Sequence, residues 1–133
     1  MKTTLPDEVK KLLEKTSAVL MGSRGLYVAD SNSNYDIAIH NIDLPSNIHE
    51  YEKGTMMQEF PLLAFENACL YKKGNINLIV YMDWKHIAVV RSVMFDLLRI
   101  PKYLLRGKFT RGVLFESALE HYKFEKGKYV EIR

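Results

Sequence analysis

The feature that most constrains the fold is a short apolar run that stops at a glycine-rich turn and is followed by a second apolar run. The first run is Ser17 to Met21, and the turn is Gly22-Ser23-Arg24-Gly25. The polar stretch from Asp30 to Asn34 has the composition of a loop, and Tyr35 to His40 then resumes as a strand. This pattern predicts two buried strands joined through a turn.

Helices are predicted where apolar residues recur at helical spacing beside residues that cap helix ends. Proline is tolerated in the first turn of a helix, so Pro6 favours a helix start, and Asp83 is a plausible cap for a longer helix. Three helices are predicted before Gly107: Pro6 to Leu13, a short one after Pro45-Ser46 that Gly54 ends, and one carrying Ile87 to Leu98 that Pro101 ends. A fourth is predicted after Gly107. Its inward residues are expected to be Phe109, Val113, Phe115 and Leu119, and Arg111 is expected to face outward.

Two further apolar runs flank a segment with turn chemistry. Leu62 to Tyr71 and Ile76 to Tyr81 lie on either side of Lys72-Lys73-Gly74-Asn75, which has the length and composition of a hairpin loop. Strands and helices thus mix without strict alternation, which favours an α/β (α+β) fold with a mixed sheet and helices packed mainly on one face. Residues 1–133 are predicted to form one domain.

Composition fits an ordinary globular domain. The chain has 133 residues, 47% of them apolar, and its single cysteine, Cys69, cannot form an internal disulfide. No cysteine or histidine cluster has zinc spacing. The charged N-terminus lacks the apolar stretch of a signal peptide, and no apolar run is long enough to span a membrane. We therefore expect a cytoplasmic protein with no membrane partner.

The stretch from Gly22 to Ile39 resembles the signature of the nucleotidyltransferase superfamily, the DNA polymerase beta-like fold. In that family a strand ends in Gly-Ser, a turn or short helix follows, and a second strand carries acid-apolar-acid; the spacing from Ser23 to Asp36 fits. The chain is most similar to the minimal predicted nucleotidyltransferases of bacteriophages, with Asn77 to Tyr81 as the later strand and Arg111 to Glu116 as the Arg-apolar-Leu-Phe-Glu helix. The resemblance implies a phage origin and a host-cytoplasmic location.

The resemblance implies a role for each residue of this stretch. Gly22 lets the backbone approach a nucleoside triphosphate, while Ser23 and Arg24 suit its phosphate oxygens. Two carboxylates at alternate positions of a strand face the same side, and with a third from a neighbouring strand they hold two magnesium ions. Those ions align the attacking hydroxyl and neutralise the leaving pyrophosphate. Asp36 is the candidate catalytic residue and first metal ligand.

Two positions depart from the family's pattern. The acid expected two residues after Asp36 is Ala38, and the third acid, expected near the start of the later strand, is Asn77. Alanine offers no oxygen, and an amide is a weaker magnesium ligand than a carboxylate. We therefore expect Mg²⁺ or Mn²⁺ to bind only weakly, through Asp36 and Asn77.

Four other titratable residues are candidates for the same pocket. Asp30, Asp83 or Glu66 would replace a missing acid if the fold brought one of them near Asp36. His40 faces the same side of its strand as Asp36 by alternation, so it is a candidate general base; a solvated strand end is the alternative interpretation.

Three functions stay open on the sequence. The first is a degenerate nucleotidyltransferase-fold protein, a pseudoenzyme, that binds a nucleotide or a host or partner protein. The second is an active enzyme that moves a nucleoside monophosphate from a triphosphate to a hydroxyl on protein, RNA or a small molecule. The third is a nucleic-acid-binding module using the basic C-terminal third from Lys102 onward, which is least favoured because no aromatic-basic ladder is evident.

Overall fold

Five strands form one mixed sheet in the computed structural model, which describes residues 5–54 and 68–123. The strands are β1 Val19–Met21, β2 Tyr35–His40, β3 Glu52–Gly54, β4 Ala68–Lys73 and β5 Ile76–Tyr81. The helices are α1 Asp7–Leu13, α2 Gly22–Gly25, α3 Trp84–Leu97, α4 Lys102–Leu105 and α5 Lys108–Lys123, with 3-10 turns at Asn41–Asp43 and Ile48–Glu50. The strand order is β1-β2-β5-β4-β3, and only β2 and β5 run parallel. The predicted α+β class is confirmed.

The two central strands carry the core because both of their faces are covered. Ile37 and Leu78 project to one face, where they pack with Val9 and Leu12 of α1. Ala38 and Ile79 project to the other face, where they share a core cluster with residues of α3 and α5. Strands buried on both sides read as continuous apolar runs, which is why their signal in the sequence is strong.

The two longest helices, α3 and α5, lie on the same face of the sheet, as predicted. The opposite face is partly covered as well, by α1. Asp83 caps α3 by accepting a hydrogen bond from the Lys85 backbone N–H, 2.8 Å, as predicted. In the described part of the chain, no helix combines the length and the apolar character needed to cross a membrane.

The predicted hairpin is present between β4 and β5. Its turn is shorter than expected, because Lys72 and Lys73 belong to β4 and only Gly74 and Asn75 connect the strands. Gly74 has a φ of +57°, a backbone conformation that glycine adopts without the steric cost of a β-carbon. Residues 62–67 of the predicted first run lie outside the described residues.

The predicted helix after Pro45-Ser46 is wrong. A 3-10 turn at Ile48–Glu50 is followed after one residue by β3, which pairs with β4. That residue, Tyr51, is buried, and its hydroxyl donates a 2.5 Å hydrogen bond to Glu8 of α1. Pairing and a contact with a distant helix therefore override the local helix signal.

The inward face of α5 also differs from the prediction. Phe109 and Val113, predicted inward, are 83% and 50% exposed. The inward stripe is instead formed by the partly buried Arg111 with the buried Phe115 and Leu119, at positions i, i+4 and i+8 of the helix. The predicted outward position of Arg111 is therefore wrong, since it lies on the stripe whose other members are in the core.

Candidate functional site

The turn after β1 brings Gly22 against the side chain of Asp36. Met21 and Asp36 are direct partners in the antiparallel pair of β1 and β2, so the chain leaves β1 beside Asp36. Gly22 has a φ of +62°, and a β-carbon on it would lie 2.8 Å from Asp36 Oδ2. Both the conformation and the close approach require glycine. The predicted turn and the predicted carboxylate therefore lie at one place.

Asn77 lies beside Asp36 on the neighbouring parallel strand. The two residues are register partners, and Asn77 Nδ2 donates a 2.8 Å hydrogen bond to Asp36 Oδ1. Asn77 is 1% exposed, and its Oδ1 has no hydrogen-bond donor among the described residues. Position 77 thus converges with Asp36 as expected, and the side chain there is an amide.

Asp36 and Asn77 belong to a polar row that crosses the sheet. Asn77 is paired with Lys72 on β4, and Lys72 is paired with Glu52 on β3. Directly paired residues project to the same face of a sheet, so the four side chains share one face. On β1 the register partner of Asp36 is the apolar Met21. The polar row lies at one end of the face that carries the core cluster of α3 and α5.

Ala38 lies in the next row on the same face, and that row is apolar. Its register partners are Val19 on β1 and Ile79 on β5, and Ile79 is in turn paired with Leu70 on β4. Ala38 is 0% exposed within this cluster. A carboxylate at position 38 would therefore enter the core and not the space beside Gly22, so position 38 does not open onto the site as position 77 does.

The charges of three cations act on Asp36. Burial raises the pKa of the Asp36 carboxyl, while the Asn77 hydrogen bond and the charges of Arg111, Lys108 and Lys72 lower it without cancelling the effect of burial. Burial lowers the pKa of Arg111, and the negative charge of Asp36 opposes that change. Arg111 is also held in place, because its Nη1 donates a 2.9 Å hydrogen bond to the Leu105 carbonyl. The surroundings of Asp36 are thus positively charged.

Ser23 and Arg24 lie in α2, and Arg24 is engaged by the loop that follows. Its Nη2 donates a 3.0 Å hydrogen bond to the Ser33 carbonyl, and its guanidinium lies over the Tyr35 ring, 4.3 Å from the centroid. Tyr35 projects to the face opposite that of Asp36. Arg24 therefore holds the loop between α2 and β2, and its predicted phosphate contact stays a prediction. The backbone carbonyl of Ser23 accepts a 3.0 Å hydrogen bond from the Val28 backbone N–H.

The acids proposed as replacements are engaged elsewhere. Asp30 accepts a 2.9 Å hydrogen bond from the Asn32 backbone N–H within its own loop. Asp83 caps α3 beyond the far end of β5. Glu66 lies outside the described residues. Neither of the two described acids therefore restores a second carboxylate at Asp36.

His40 lies at the opposite end of β2 from Asp36. Its Nδ1 accepts a 3.0 Å hydrogen bond from the Ile42 backbone N–H, and its ring stacks on Trp84 with centroids 4.5 Å apart. The His40 side chain thus caps the 3-10 turn that follows β2. A general base for chemistry at Asp36 would have to lie closer.

The oxygen ligands at this site do not fit a two-metal centre. Asp36 supplies one carboxylate and Asn77 one amide oxygen, and no group of three His, Cys, Asp or Glu side chains is placed to hold a metal within residues 5–54 and 68–123. Magnesium favours anionic oxygen ligands, and each nearby cation makes a divalent ion less favourable. Among the described residues, the pair of metal ions that the family resemblance implies thus finds a single carboxylate, that of Asp36.

Lys72, Lys108 and Arg111 were not predicted as site residues. The excess of basic residues from Lys102 onward was the one general signal in the sequence. The spacing of Arg111 with Phe115 and Leu119 is a more specific signal, because it places the arginine on the inward stripe. Lys72 carried no comparable signal, since its place beside Asn77 depends on the hairpin register.

Comparison with known proteins gives no match. No protein-family model, curated protein or solved structure is significantly similar to this chain. A functional assignment therefore depends on the chemistry of its own residues.

Proposed function

We propose that this chain is a small nucleotidyltransferase-fold protein that binds a nucleotide beside Gly22 and Asp36 without efficient nucleotidyl transfer. The contact between the Gly22 backbone and Asp36 Oδ2 carries the proposal. It supports a site because a glycine with positive φ against a carboxylate gives a bound ligand access to both backbone and side chain.

The polar atoms at this place suit different parts of a nucleotide. Asp36 is an acceptor, which suits the hydroxyls of a ribose or the N–H groups of a base, and the hydrogen bond from Asn77 holds its carboxylate in place. Lys72, Lys108 and Arg111 are cations, which suit phosphates. Nucleotides combine hydroxyl donors with phosphate anions, so they match this mixture better than a purely anionic or purely apolar ligand.

The degenerate ligand set supports binding over catalysis. Two-metal transfer depends on carboxylates that hold both ions in line with the attacking and leaving oxygens. Of the three expected positions, only Asp36 carries an acid; Ala38 is buried in the core and Asn77 is an amide. Conventional transfer is therefore expected to be weak or absent.

A thermal-shift series with ATP, GTP, CTP and UTP tests the proposal. A ligand that binds the folded state at tenfold above its Kd stabilises it by about 1.4 kcal/mol, which raises Tm measurably. The variant Gly22→Val should lose the shift, and Gly74→Val at the hairpin turn is the matched control for a positive-φ glycine. If no nucleotide shifts wild type, nucleotide binding is wrong and a protein-binding role is favoured.

Incubation with radiolabelled triphosphates and cell lysate tests the catalytic alternative. The expected result is no label on any acceptor. Label that appears with wild type and disappears with Asp36→Asn would show that the chain is an active nucleotidyltransferase.

A further inference from the structure

We propose that Lys72, Lys108 and Arg111 neutralise the phosphates of the bound nucleotide, so that this protein binds its ligand without divalent metal ions. The inference rests on the proposed nucleotide site and adds the source of its positive charge. The three residues lie on two separate elements of the fold, Lys72 on β4 and the other two on α5.

Lys72 approaches from within the sheet. It is the register partner of Asn77, which is the register partner of Asp36, so Lys72 lies two strands from Asp36 on the same face. Two strand spacings amount to about 10 Å, a span that a lysine side chain and a polyphosphate bridge together. Lys72 is exposed, so its ammonium group is accessible to a ligand.

Lys108 and Arg111 lie on α5, whose buried residues belong to the core cluster on this side of the sheet. They are three residues apart at the start of α5, a spacing that puts them on the same side of the helix. Arg111 is partly buried, and its hydrogen bond to the Leu105 carbonyl fixes the guanidinium before any ligand arrives. A fixed guanidinium loses little entropy on binding phosphate.

The balance of charge at the site favours an anion. The polar row and the first turn of α5 together contain three cations, Lys72, Lys108 and Arg111, and two acids, Asp36 and the exposed Glu52. A site for two divalent ions has the reverse composition, with acids in excess. The missing acids make metal binding weak, and the cations supply positive charge in its place. Basic side chains thus replace metal ions as the counter-charge for the phosphates.

Isothermal titration calorimetry with ATP, GTP, CTP, UTP and inorganic tripolyphosphate tests the inference, each titrated in EDTA and again with Mg²⁺. The double variant Lys72→Gln/Lys108→Gln removes two of the charges at exposed positions and leaves the fixed Arg111 in place. The matched control is Lys53→Gln, because Lys53 is exposed on β3 and its register partner Tyr71 faces the opposite side of the sheet.

We expect the same Kd in EDTA and in Mg²⁺, a loss of about tenfold or more in the double variant, and wild-type affinity in Lys53→Gln. Tripolyphosphate is expected to compete with the nucleotide, because the cations recognise phosphate. Nucleotide binding that requires Mg²⁺, or that the double variant leaves unchanged, would overturn this inference while the nucleotide site stands. No binding under either condition would overturn the proposed function as well.

Discussion

Asp36 Oδ2 lies so close to the Gly22 backbone that a β-carbon at position 22 would approach it to 2.8 Å. The two residues are brought together by the pairing of β1 with β2, in which Met21 and Asp36 are partners. Gly74 has nearly the same backbone conformation, with φ of +57°, but no atom lies within 4 Å of the β-carbon that it would carry. The comparison of these two glycines separates the cost of the backbone conformation from the cost of the contact.

Replacing each glycine by alanine is expected to give unequal losses of stability. Gly74→Ala should lower the free energy of unfolding by about 1–2 kcal/mol, the cost of a left-handed conformation for an L-residue. Gly22→Ala should cost more, because the new methyl group also displaces Asp36. Urea denaturation measures both. Equal losses would contradict the contact, whereas combining Gly22→Ala with Asp36→Gly should remove the extra cost if the contact is its source.

The pH dependence of stability should reveal Asp36. Its folded-state pKa is raised above the ordinary value of 3.8, chiefly by burial, so the unfolded chain releases this proton first as the pH rises. The stabilising contribution is therefore present below the unfolded pKa and is lost as the pH rises through the folded pKa. Asp36→Asn is expected to raise Tm at neutral pH and to have little effect in acid. Differential scanning calorimetry across this range measures the difference.

Glu120→Gln is the control for that experiment, because Glu120 is an exposed acid on α5. It should leave Tm nearly unchanged at either pH. A lower Tm for Asp36→Asn at neutral pH would mean that the cations around the carboxylate outweigh its burial.

Restoring acids at positions 77 and 38 should give opposite outcomes. Asn77→Asp places a second carboxylate beside Asp36, and tighter Mn²⁺ binding than in wild type is expected in a calorimetric titration. Ala38→Asp instead buries a charge in an apolar row and should cost about 3–5 kcal/mol of stability. Ala88→Asp, at an exposed position of α3, is the control for alanine-to-aspartate changes. Unchanged Mn²⁺ affinity in Asn77→Asp would mean that positions 36 and 77 do not form a shared site.

The opposite face of the sheet contains a separate polar cluster around Glu8. Tyr51 donates a 2.5 Å hydrogen bond to Glu8, and Lys73 forms a 3.0 Å ion pair with it. Burial raises the pKa of Glu8, but the hydrogen bonds from Tyr51, Lys73 and Asn47 outweigh it, so the pKa is lowered. The stability that this carboxylate contributes is therefore present above its unfolded pKa near 4.5 and is lost as the pH falls through the folded pKa.

Tyr51→Phe should cost about 1–2 kcal/mol at neutral pH, because it leaves part of the Glu8 carboxylate without its donor. The cost should shrink in acid, where Glu8 is protonated. Denaturant unfolding at both pH values measures this, with Tyr103→Phe at an exposed position as control. A loss that does not change with pH would assign the effect to packing of the ring and not to the hydrogen bond.

Local signals in the sequence predicted the elements that frame the site. Tyr35 to His40 was predicted as a strand and is β2, and Asp83 was predicted to cap the helix that became α3. Gly22 was predicted to turn the chain after the first strand. These features depend on residues a few positions apart, through alternation, capping and the conformational freedom of glycine, so the sequence alone contains them.

Contacts between distant segments depend on strand register and helix packing. Asn77 bonds to Asp36 across 41 positions of the chain because β5 adds to β2 in one parallel register. Lys72 enters the same row through the register of β4, and α5 turns Arg111 inward because Phe115 and Leu119 of the same stripe pack in the core cluster with α3. Local patterns in the chain thus encode the turn, its single acid and the inward stripe of α5, whereas the register between distant strands, which depends on contacts far apart in the chain, places Asn77 and Lys72 in the same row as that acid.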